Sequence, residues 1–356
     1  MRKKKNKPLR IILCVLAALI LIAGAYAAYV FIAYHRLPDN TALQVRSAAD
    51  GTLEPGTPQR LVSFNTGFGA YEPDYSFFMD GGTQSWAWSK ERLNANLAAI
   101  ADFLRNEAAD FFFLQEVDEN ATRTYHINEK ALMEAALPGY DCVYAENWDS
   151  PFLFYPFTQP HGKTQCGVMT FSRAPIASAV RRSLPVENTV MKLVDLDRCY
   201  SVSRVPVTNG RELVLFNAHL SAYTSDGTIA TEQMNMLLGD MAAEYEKGNY
   251  AVCGGDFNKD LLGDSSRYFG VSGADYTWAQ PIPEGTFDSL PLTLVASSNA
   301  PSCRTADAPY NPNQFVLTID GFIVSDNVRV LDHQVIDTGF AYSDHNPVSV
   351  TFELAE

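Results

Sequence analysis

The sequence predicts an α/β sandwich, in which two β-sheets carry helices on their outer faces. Nine short runs rich in Val, Leu, Phe and Tyr have the length and composition of strands, and Asn209-Gly210 between two of them is a typical hairpin turn. Two further segments, 93–104 and 234–245, repeat apolar residues at helical spacing, and each precedes a strand. Hairpins mixed with strand–helix–strand units indicate two sheets with helices outside. The predicted strands are 61–64, 111–114, 168–171, 200–207, 213–216, 250–253, 319–324, 328–335 and 348–352.

The first 34 residues predict a membrane anchor. Residues 11–34 carry no charge, and a helix of that length rises about 36 Å, more than the hydrocarbon thickness of roughly 30 Å. The basic tail 1–10 should stay in the cytoplasm, which would place the rest of the chain outside the cell. We expect a single-pass protein of the cell membrane, in contact with the bilayer through residues 11–34. The alternative is a cleaved signal peptide, because residues 23–28 are mostly small.

The sequence of residues 35–356 predicts a stalk followed by one large domain. Residues 35–59 are polar, contain Gly51, Pro55 and Gly56, and show no sustained period, so we interpret them as a linker. No similar stretch follows, and 47% hydrophobic residues suffice for a large core, so residues 60–356 should form a single folded domain. Within it, the irregular segments 67–89, 146–165 and 259–315 are predicted to be loops around a site.

Charge and cysteine content narrow the function classes. The net charge is −14, and without the basic residues of segment 1–36 the body carries 20 basic and 41 acidic side chains, a charge of −21. This balance disfavours a protein that coats nucleic acid, although a nuclease with a local metal site stays possible. The five cysteines after residue 36 lack Cys-x-x-Cys spacing, so zinc has no support. Cys166 and Cys199 could face one another across a sheet, but buried free thiols are the preferred interpretation.

Polar residues follow the ends of several predicted strands. Any one of them alone can be a turn or a helix cap, but strand ends converge on one edge of a sheet, where we expect the oxygen-bearing side chains to gather. Crowded acids need a counter-charge, and hard oxygen ligands favour Mg²⁺ or Mn²⁺. Such a site suits phosphoryl chemistry, in which a carboxylate places water and a histidine manages the proton. The residues are Asn65, Glu116, His219, Asp256, Asn258, Asp320, Asp344 and His345.

Five motifs in this order resemble the endonuclease/exonuclease/phosphatase superfamily. The resemblance extends over about residues 60–354, and Asn65 and the segment 167–176 also match. It implies a four-layer α/β/β/α sandwich with its site at one rim. The motifs are Leu-Gln-Glu-Val at 114–117, Asn-Ala-His-Leu at 217–220, Gly-Gly-Asp-Phe-Asn at 254–258, Ile-Asp-Gly-Phe-Ile-Val-Ser at 319–325 and Ser-Asp-His-Asn-Pro-Val at 343–348.

The resemblance also implies roles for the metal and the nucleophile. Glu116 would be the principal ligand of Mg²⁺ or Mn²⁺, with Asn65 beside it, and Asp344 would complete the acidic rim. Asp256 would orient or activate the attacking water.

A second set of roles concerns the phosphate and the proton. His345, paired with Asp320, would be the general acid/base. His219 would bind and polarise the phosphate, and Asn258 would hold a phosphate oxygen. Arg204, on a strand paired with 213–216, is a weaker candidate for a phosphate contact.

The substrate is the least determined part. The aromatic segment 151–157, with Lys163 nearby, is either a lipid-facing loop or an ordinary packed loop, and Tyr75, Trp86 and Trp88 could stack on a base or belong to the core. We favour an exported, membrane-anchored phosphodiesterase or phosphatase that acts on a phospholipid headgroup or another small phosphoester. The alternatives are an extracellular DNase I-like endonuclease and a catalytically silent binding module on the same fold. Nothing in the sequence indicates an obligate protein partner.

Overall fold

The computed structural model describes residues 7–222, 228–272 and 278–356, and contains five α-helices and fifteen strands in these ranges. The helices are α1 (Lys7–Ala33), α2 (Lys90–Glu107), α3 (Glu129–Ala136), α4 (Thr228–Glu246) and α5 (Ser265–Phe269). The strands are β1 (Thr41–Ala42), β2 (Gln59–Asn65), β3 (Phe111–Ala121), β4 (Asp141–Asp149), β5 (Thr164–Ser172), β6 (Ser178–Ser183), β7 (Cys199–Pro206), β8 (Glu212–His219), β9 (Tyr250–Asp256), β10 (Leu292–Val295), β11 (Cys303–Arg304), β12 (Val316–Leu317), β13 (Asp320–Ser325), β14 (Val328–Val335) and β15 (Val348–Leu354).

Thirteen of these strands form two large mixed sheets. The seven-stranded sheet has the order β1-β6-β7-β8-β9-β13-β10, and the six-stranded sheet has the order β14-β15-β2-β3-β5-β4. Each contains one parallel pair, β8 with β9 and β2 with β3, and the other neighbours are antiparallel. The connection within each parallel pair contains a long helix, α4 or α2, because parallel neighbours need a crossover.

The main apolar core lies between the two sheets. Alternate residues of a strand point to opposite faces, so Phe111 and Phe113 of β3 face the other sheet and pack in one cluster with Leu215, Val252 and Phe322. The intervening residues of β3 face outward and pack under a helix. The layers are therefore helix, sheet, sheet and helix, and the predicted four-layer sandwich is confirmed.

The two long helices bury the faces that their sequence periodicity predicts. On α2, Leu93, Leu97 and Ile100 pack against Phe112 and Leu114 of β3.

On the opposite side of the molecule, Met234 and Leu237 of α4 pack against Phe216, Cys253 and Ile323 of the seven-stranded sheet. Each buried apolar side chain of this size contributes roughly 1.5–3 kcal/mol. Sheet and helix thus stabilise one another on both outer faces.

All nine predicted strands are present, but several others were predicted as loop. The segment 146–165 contains the end of β4 and the start of β5, and the segment 259–315 contains α5, β10 and β11. A further strand, β6, was missed because Arg181 and Arg182 interrupt its apolar pattern. The Arg181 side chain is nevertheless buried, and it donates hydrogen bonds to the carbonyl oxygens of Glu146 (2.7 Å) and Asp197 (2.7 Å).

The prediction of a free stalk over residues 35–59 is wrong for most of that segment. β1 pairs with β6, and Arg46 and Cys142 exchange backbone hydrogen bonds of 2.8 and 3.0 Å. Leu53 is fully buried, and its carbonyl accepts a hydrogen bond from the Thr208 N–H. The segment lacks apolar periodicity because backbone groups, more than side chains, attach it to the sheet edges. The folded body therefore begins near Thr41.

The cysteines form no disulfide in the described structure. Cys166 and Cys199 are free and buried, as are Cys142, Cys253 and Cys303, while Cys14 is exposed on α1. The preferred interpretation of buried thiols is confirmed, and the alternative of a Cys166–Cys199 pair is wrong.

α1 is a single apolar helix of 27 residues with a mean hydropathy of 2.7 over its most apolar part, where every side chain is at least partly exposed. At 1.5 Å per residue it is about 40 Å long, which is sufficient to cross a membrane.

Candidate active site

The candidate site lies at one rim of the sandwich, where the two parallel pairs end. β2 ends at Asn65, which is paired with Gln115 of β3. Glu116 is therefore one residue further along β3 than the end of β2. In the other sheet, β8 ends at His219 directly opposite Asp256, the last residue of β9. The predicted convergence of strand ends therefore brings both sheets to the same site.

Local backbone distortions aim the two central acids into the site. Glu116 has a φ of +55°, a left-handed conformation that is unfavourable for a non-glycine residue, and it lies in a β-bulge between Leu114 and Val117. Gly255 has a φ of +149°, and a Cβ there would lie 1.9 Å from the Ala218 carbonyl oxygen. Only glycine fits at 255, which explains the glycine directly before Asp256.

The buried side-chain amide of Asn65 joins the acids and one histidine. Its Nδ2 donates to Oδ2 of Asp256 at 3.1 Å and to Oε1 of Glu116 at 3.2 Å, and lies 3.4 Å from Nε2 of His345. Its Oδ1 accepts the Gly67 N–H at 3.0 Å, which fixes the orientation of the amide. Asn65 thus lies at the centre of the predicted set.

His345 and Asp320 form a hydrogen-bonded pair. Nδ1 of His345 lies 2.8 Å from Oδ2 of Asp320, and the Ser302 hydroxyl donates to the same oxygen at 2.7 Å. Burial alone would lower the pKa of His345, but the Asp320 carboxylate outweighs it and raises the pKa well above its usual value. The imidazole is therefore held protonated and oriented, with Nε2 facing Asp256 at 3.8 Å.

Asp256 is oriented from both sides. Its Oδ1 accepts the Asn258 N–H at 2.9 Å, and its Oδ2 lies 3.5 Å from Nε2 of His219. Burial raises the pKa of Asp256 to about 7, and the nearby Asp320 carboxylate acts in the same direction. A carboxyl group with this pKa can exchange a proton near neutral pH.

The acidic residues fit a hard divalent cation. Burial raises the pKa values of Glu116 and Asp344, and the charge of Asp344 adds to the effect at Glu116. Ligand atoms of Asp256, Asp320 and His345 lie within 4.8 Å of one another. Carboxylate and amide oxygens are the ligands that Mg²⁺ and Mn²⁺ prefer, and a positive charge would relieve the crowding.

His219 is buried and lies between the acids. Its Nε2 is 4.0 Å from Oε1 of Glu116, while its Nδ1 has no hydrogen-bond partner. Burial, together with the charges of Arg198 and His345, holds the pKa of His219 well below its usual value, so the ring is neutral.

Arg198 is a candidate that the sequence prediction missed. It directly precedes β7, whose second residue, Tyr200, is paired with Ala218 next to His219. The residue is 93% buried, yet its Nε and Nη1 have no hydrogen-bond partner. A buried guanidinium without partners is costly unless an anion completes it. No motif marks this arginine, so only its burial beside His219 reveals it.

The predicted phosphate contact of Arg204 needs correction. Arg204 is opposite Val214, five residues and about 17 Å along the strand from His219. It forms ion pairs with Glu212 (2.7 Å) and Glu244 (2.6 Å), so the predicted phosphate contact is wrong.

The side-chain amide of Asn258 donates to the Leu220 carbonyl at 2.8 Å. Only its second N–H is left for a phosphate oxygen.

The aromatic residues of the loop 67–89 serve packing. Tyr75 is fully buried and contacts Trp88 edge to face at 6.2 Å between ring centroids. Trp86 donates its indole N–H to the Pro160 carbonyl at 2.7 Å. The structure therefore favours the core interpretation for Tyr75 and Trp86, whereas Trp88 is 38% exposed.

Comparison with known families decides the assignment. The profile of the Endonuclease/Exonuclease/phosphatase family matches residues 62–345, which include every predicted site residue. The chain belongs to this family. Its members are metal-dependent hydrolases of phosphoester bonds, and the chain is an enzyme of this class. No curated protein matches the chain in sequence.

Solved structures with the family fold are similar to this chain at low sequence identity. An endonuclease/exonuclease/phosphatase from Beutenbergia cavernae DSM 12333 is 21% identical with a TM-score of 0.60, over 84% of this chain and 72% of the other. ANGEL2, a 2′,3′-cyclic phosphatase in complex with adenosine-2′,3′-vanadate, is 16% identical with a TM-score of 0.56, over 86% and 100%. A family protein from Bacteroides vulgatus is 17% identical with a TM-score of 0.52, over 84% and 99%. These similarities concern the fold.

Proposed function

We propose that this chain is an exported, membrane-anchored phosphoesterase. It hydrolyses a phosphodiester or phosphomonoester with the help of Mg²⁺ or Mn²⁺, and its substrate is a phospholipid headgroup or another small phosphoester. The observation that carries the proposal is the position of Asn65, whose amide lies within 3.4 Å of Glu116, Asp256 and His345.

The cation would be held by the carboxylate oxygens of Glu116 and Asp344, with Asn65 beside them. In this structure the amide nitrogen of Asn65 faces the acids, so the side chain would have to turn before its oxygen could act as a ligand. A cation bound there would supply positive charge for a phosphate oxygen and for the developing charge on the leaving oxygen. The chain's own part is to present these ligands on rigid strand ends. The bulge positions Glu116, and the hydrogen bond from Gly67 orients the Asn65 amide, whose nitrogen donates to Glu116 and Asp256.

Two proton-handling groups face one another across the site. Oδ2 of Asp256 would accept a hydrogen bond, and then a proton, from the attacking water, while the Asn258 N–H holds the other oxygen in place. His345, held protonated by Asp320, would donate a proton to the leaving oxygen through Nε2. The two groups are neighbours, 3.8 Å apart, so both border the same part of the site.

Three further groups would bind the phosphate oxygens. Within the described ranges, the protein leaves hydrogen-bond donors of these groups without a partner. They are one ring nitrogen of the neutral His219, the second amide hydrogen of Asn258, and Nε and Nη1 of Arg198. A charge of −21 on the body supports a compact phosphoester over a long polynucleotide.

Hydrolysis of a generic phosphodiester by the full-length protein in detergent tests the proposal. We expect activity with Mg²⁺ or Mn²⁺ and none with a chelator. His345→Ala and Asp256→Ala should each reduce kcat by at least about a hundredfold, because each removes a proton-transfer group. The matched controls are His333→Ala and Asp332→Ala, since both side chains are exposed on β14.

A substrate panel separates the alternatives. Plasmid DNA, sphingomyelin-type vesicles and inositol phosphates should be compared with Mg²⁺ and with chelator. Cleavage of DNA alone would identify the DNase-like alternative. Absence of turnover on the whole panel would indicate the silent binding module and would refute the proposal.

A further inference from the structure

The loop of residues 151–157, here called the aromatic loop, exposes large apolar side chains. Phe154 is 49% exposed, Tyr155 is 64% exposed and Phe157 is 85% exposed. Isolated exposed apolar residues are common, but three within four positions form a contiguous patch of the kind that contacts a partner or a membrane.

The aromatic loop is attached to α1. The Tyr26 hydroxyl donates to the Phe152 carbonyl at 3.1 Å and accepts the Phe154 N–H at 3.3 Å, and the Tyr29 hydroxyl accepts the Phe152 N–H at 3.0 Å. The rings of Tyr26 and Phe154 meet edge to face at 5.1 Å. Tyr26 precedes the last helical residue, Ala33, by seven positions, or about 10 Å along the axis, so the loop lies beside the last two turns of the helix.

A second attachment fixes the chain as it leaves α1. Nε of Arg36 forms an ion pair of 2.5 Å with Asp197, and its Nη2 donates to the Leu184 carbonyl at 3.0 Å. The Leu37 N–H donates to the same Asp197 carboxylate at 2.5 Å. The end of α1 therefore has a defined position on the body.

The first attachment lies at the rim that holds the candidate site. The aromatic loop follows β4, and the last residue of β4, Asp149, is paired with Gln165. Asn120 of β3 is paired with the same Gln165 from the other side, four residues beyond Glu116. The loop thus emerges about 13 Å along the strand direction from Glu116, on the same side as the site.

The second attachment lies at the same rim in the other sheet. Leu184 follows the last residue of β6, and β6 ends opposite Cys199, the first residue of β7. Tyr200 is in turn opposite Ala218, one residue before His219. Both contacts of α1 are therefore beside the catalytic strand ends, and the opposite rim, with the hairpin at Asn209, is at the other end of the strands.

We infer that the bilayer that contains α1 also contacts the aromatic loop, so that the site rim faces the membrane and the substrate is a phosphoester presented at the lipid surface. Aromatic residues concentrate at the level of the lipid headgroups, where Tyr26, Tyr29 and the loop would lie together. The inference rests on the proposed function for the hydrolysis itself, whereas the membrane contact can be tested without it.

Fluorescence quenching in vesicles tests the contact. Cys14 is the only exposed cysteine in the part of the chain that the structure describes, so Cys14→Ser removes the accessible native thiol from the full-length protein. Into this background we introduce Phe157→Cys or, as a control, Thr208→Cys in the hairpin of the opposite rim. Each variant is labelled with an environment-sensitive fluorophore and reconstituted in phosphatidylcholine vesicles that contain spin-labelled lipid. We expect strong quenching at 157 and little at 208. Equal quenching at the two positions would overturn the inference.

Kinetics test the orientation of the site. The triple variant F154S/Y155S/F157S should lower kcat/KM for hexadecyl nitrophenyl phosphate in vesicles about tenfold relative to kcat/KM for soluble bis-nitrophenyl phosphate. Leu132→Ser combined with Leu331→Ser removes exposed apolar side chains elsewhere and should leave the ratio unchanged. A triple variant with an unchanged ratio would contradict the inference. If the unmodified protein hydrolysed neither substrate, the proposed function would fail, while the quenching result would still decide the membrane contact.

Discussion

Arg198 and Arg204 are on the same stretch of chain but have opposite environments. Arg204 is neutralised by two glutamates, whereas two of the guanidinium nitrogens of Arg198 are buried and unpaired. A structural arginine is expected to satisfy its donors within the protein. Arg198 instead keeps them available beside His219, as a residue that completes its hydrogen bonds with a bound anion would do.

Arg198→Met should therefore impair activity without impairing folding. A charge-assisted hydrogen bond to phosphate contributes about 2 kcal/mol, so kcat/KM should fall roughly thirtyfold, and Arg198→Lys should recover part of it. The melting temperature should stay constant or rise, because an unpaired buried charge is removed. Arg204→Met is the matched control and should reduce stability with little change in kcat/KM. A loss of stability in Arg198→Met with normal kinetics would contradict this role.

The difference between the two arginines explains what the sequence could predict at this scale. All three of Glu116, Asp256 and His345 belong to recognisable motifs beside apolar runs. Asp256 ends the run of β9, Glu116 comes shortly after the run that opens β3, and His345 shortly precedes the run of β15. The sequence around an arginine within or beside a strand does not show whether its side chain reaches the site. Its position along the strand relative to the site, and the face of the sheet on which it lies, depend on the register of strand pairing. Register is set by tertiary pairing, and Arg198 could therefore be found only in the folded chain.

One of the contacts between α4 and β7 is made by the buried carboxylate of Glu244. Although burial opposes ionisation, hydrogen bonds from Arg204, Lys247 and Asn249 lower the pKa of Glu244 to about 2. A carboxyl group with a lowered pKa stabilises the folded state above its unfolded pKa, near 4.3. That contribution is lost as the pH falls from there towards 2.

Glu244→Gln should reveal this contribution in the pH dependence of stability. At pH 7 the variant should be less stable by about 1 kcal/mol, a value that allows for solvent screening of the ion pairs, and the difference should shrink as the pH falls below 4. Denaturant unfolding of the full-length protein in detergent between pH 7 and pH 3 measures this difference in the free energy of unfolding. The exposed Glu246→Gln on the same helix is the control. A stability difference that did not depend on pH would contradict the assignment.

Three segments that the sequence did not predict as part of the folded body share a physical property. β1, β6 and residues 43–58 are attached to the body chiefly through backbone hydrogen bonds and through polar side chains such as Arg181. Prediction from periodicity detects burial of apolar faces, so it found α2, α4 and the central strands. An edge strand with two arginines has no apolar face to detect.

The whole molecule concentrates negative charge where its strands end. The site contains Glu116, Asp256, Asp320 and Asp344 within a protein of net charge −14, and burial raises the pKa values of three of these acids. This arrangement destabilises the folded chain in the absence of a cation and favours binding of one, because neutralisation relieves the repulsion.

Mg²⁺ or Mn²⁺ should therefore stabilise the entire fold. At a concentration one hundred times the Kd, the gain is about 2.7 kcal/mol, which corresponds to several degrees in melting temperature. Glu116→Gln should abolish the shift while raising the melting temperature of the cation-free protein, and Asp332→Asn on β14 should change neither. Persistence of the full shift in Glu116→Gln would exclude Glu116 as a principal ligand.

The division of the catalytic groups between two sheets links folding to hydrolysis. Asn65 and Glu116 come from the six-stranded sheet, while His219 and Asp256 come from the seven-stranded sheet, and no pair of neighbouring strands holds all four. A partially folded chain with only one sheet would carry half of the groups and no activity. The return of turnover during refolding therefore reports the moment at which the two halves dock, and enzyme assays can time that event.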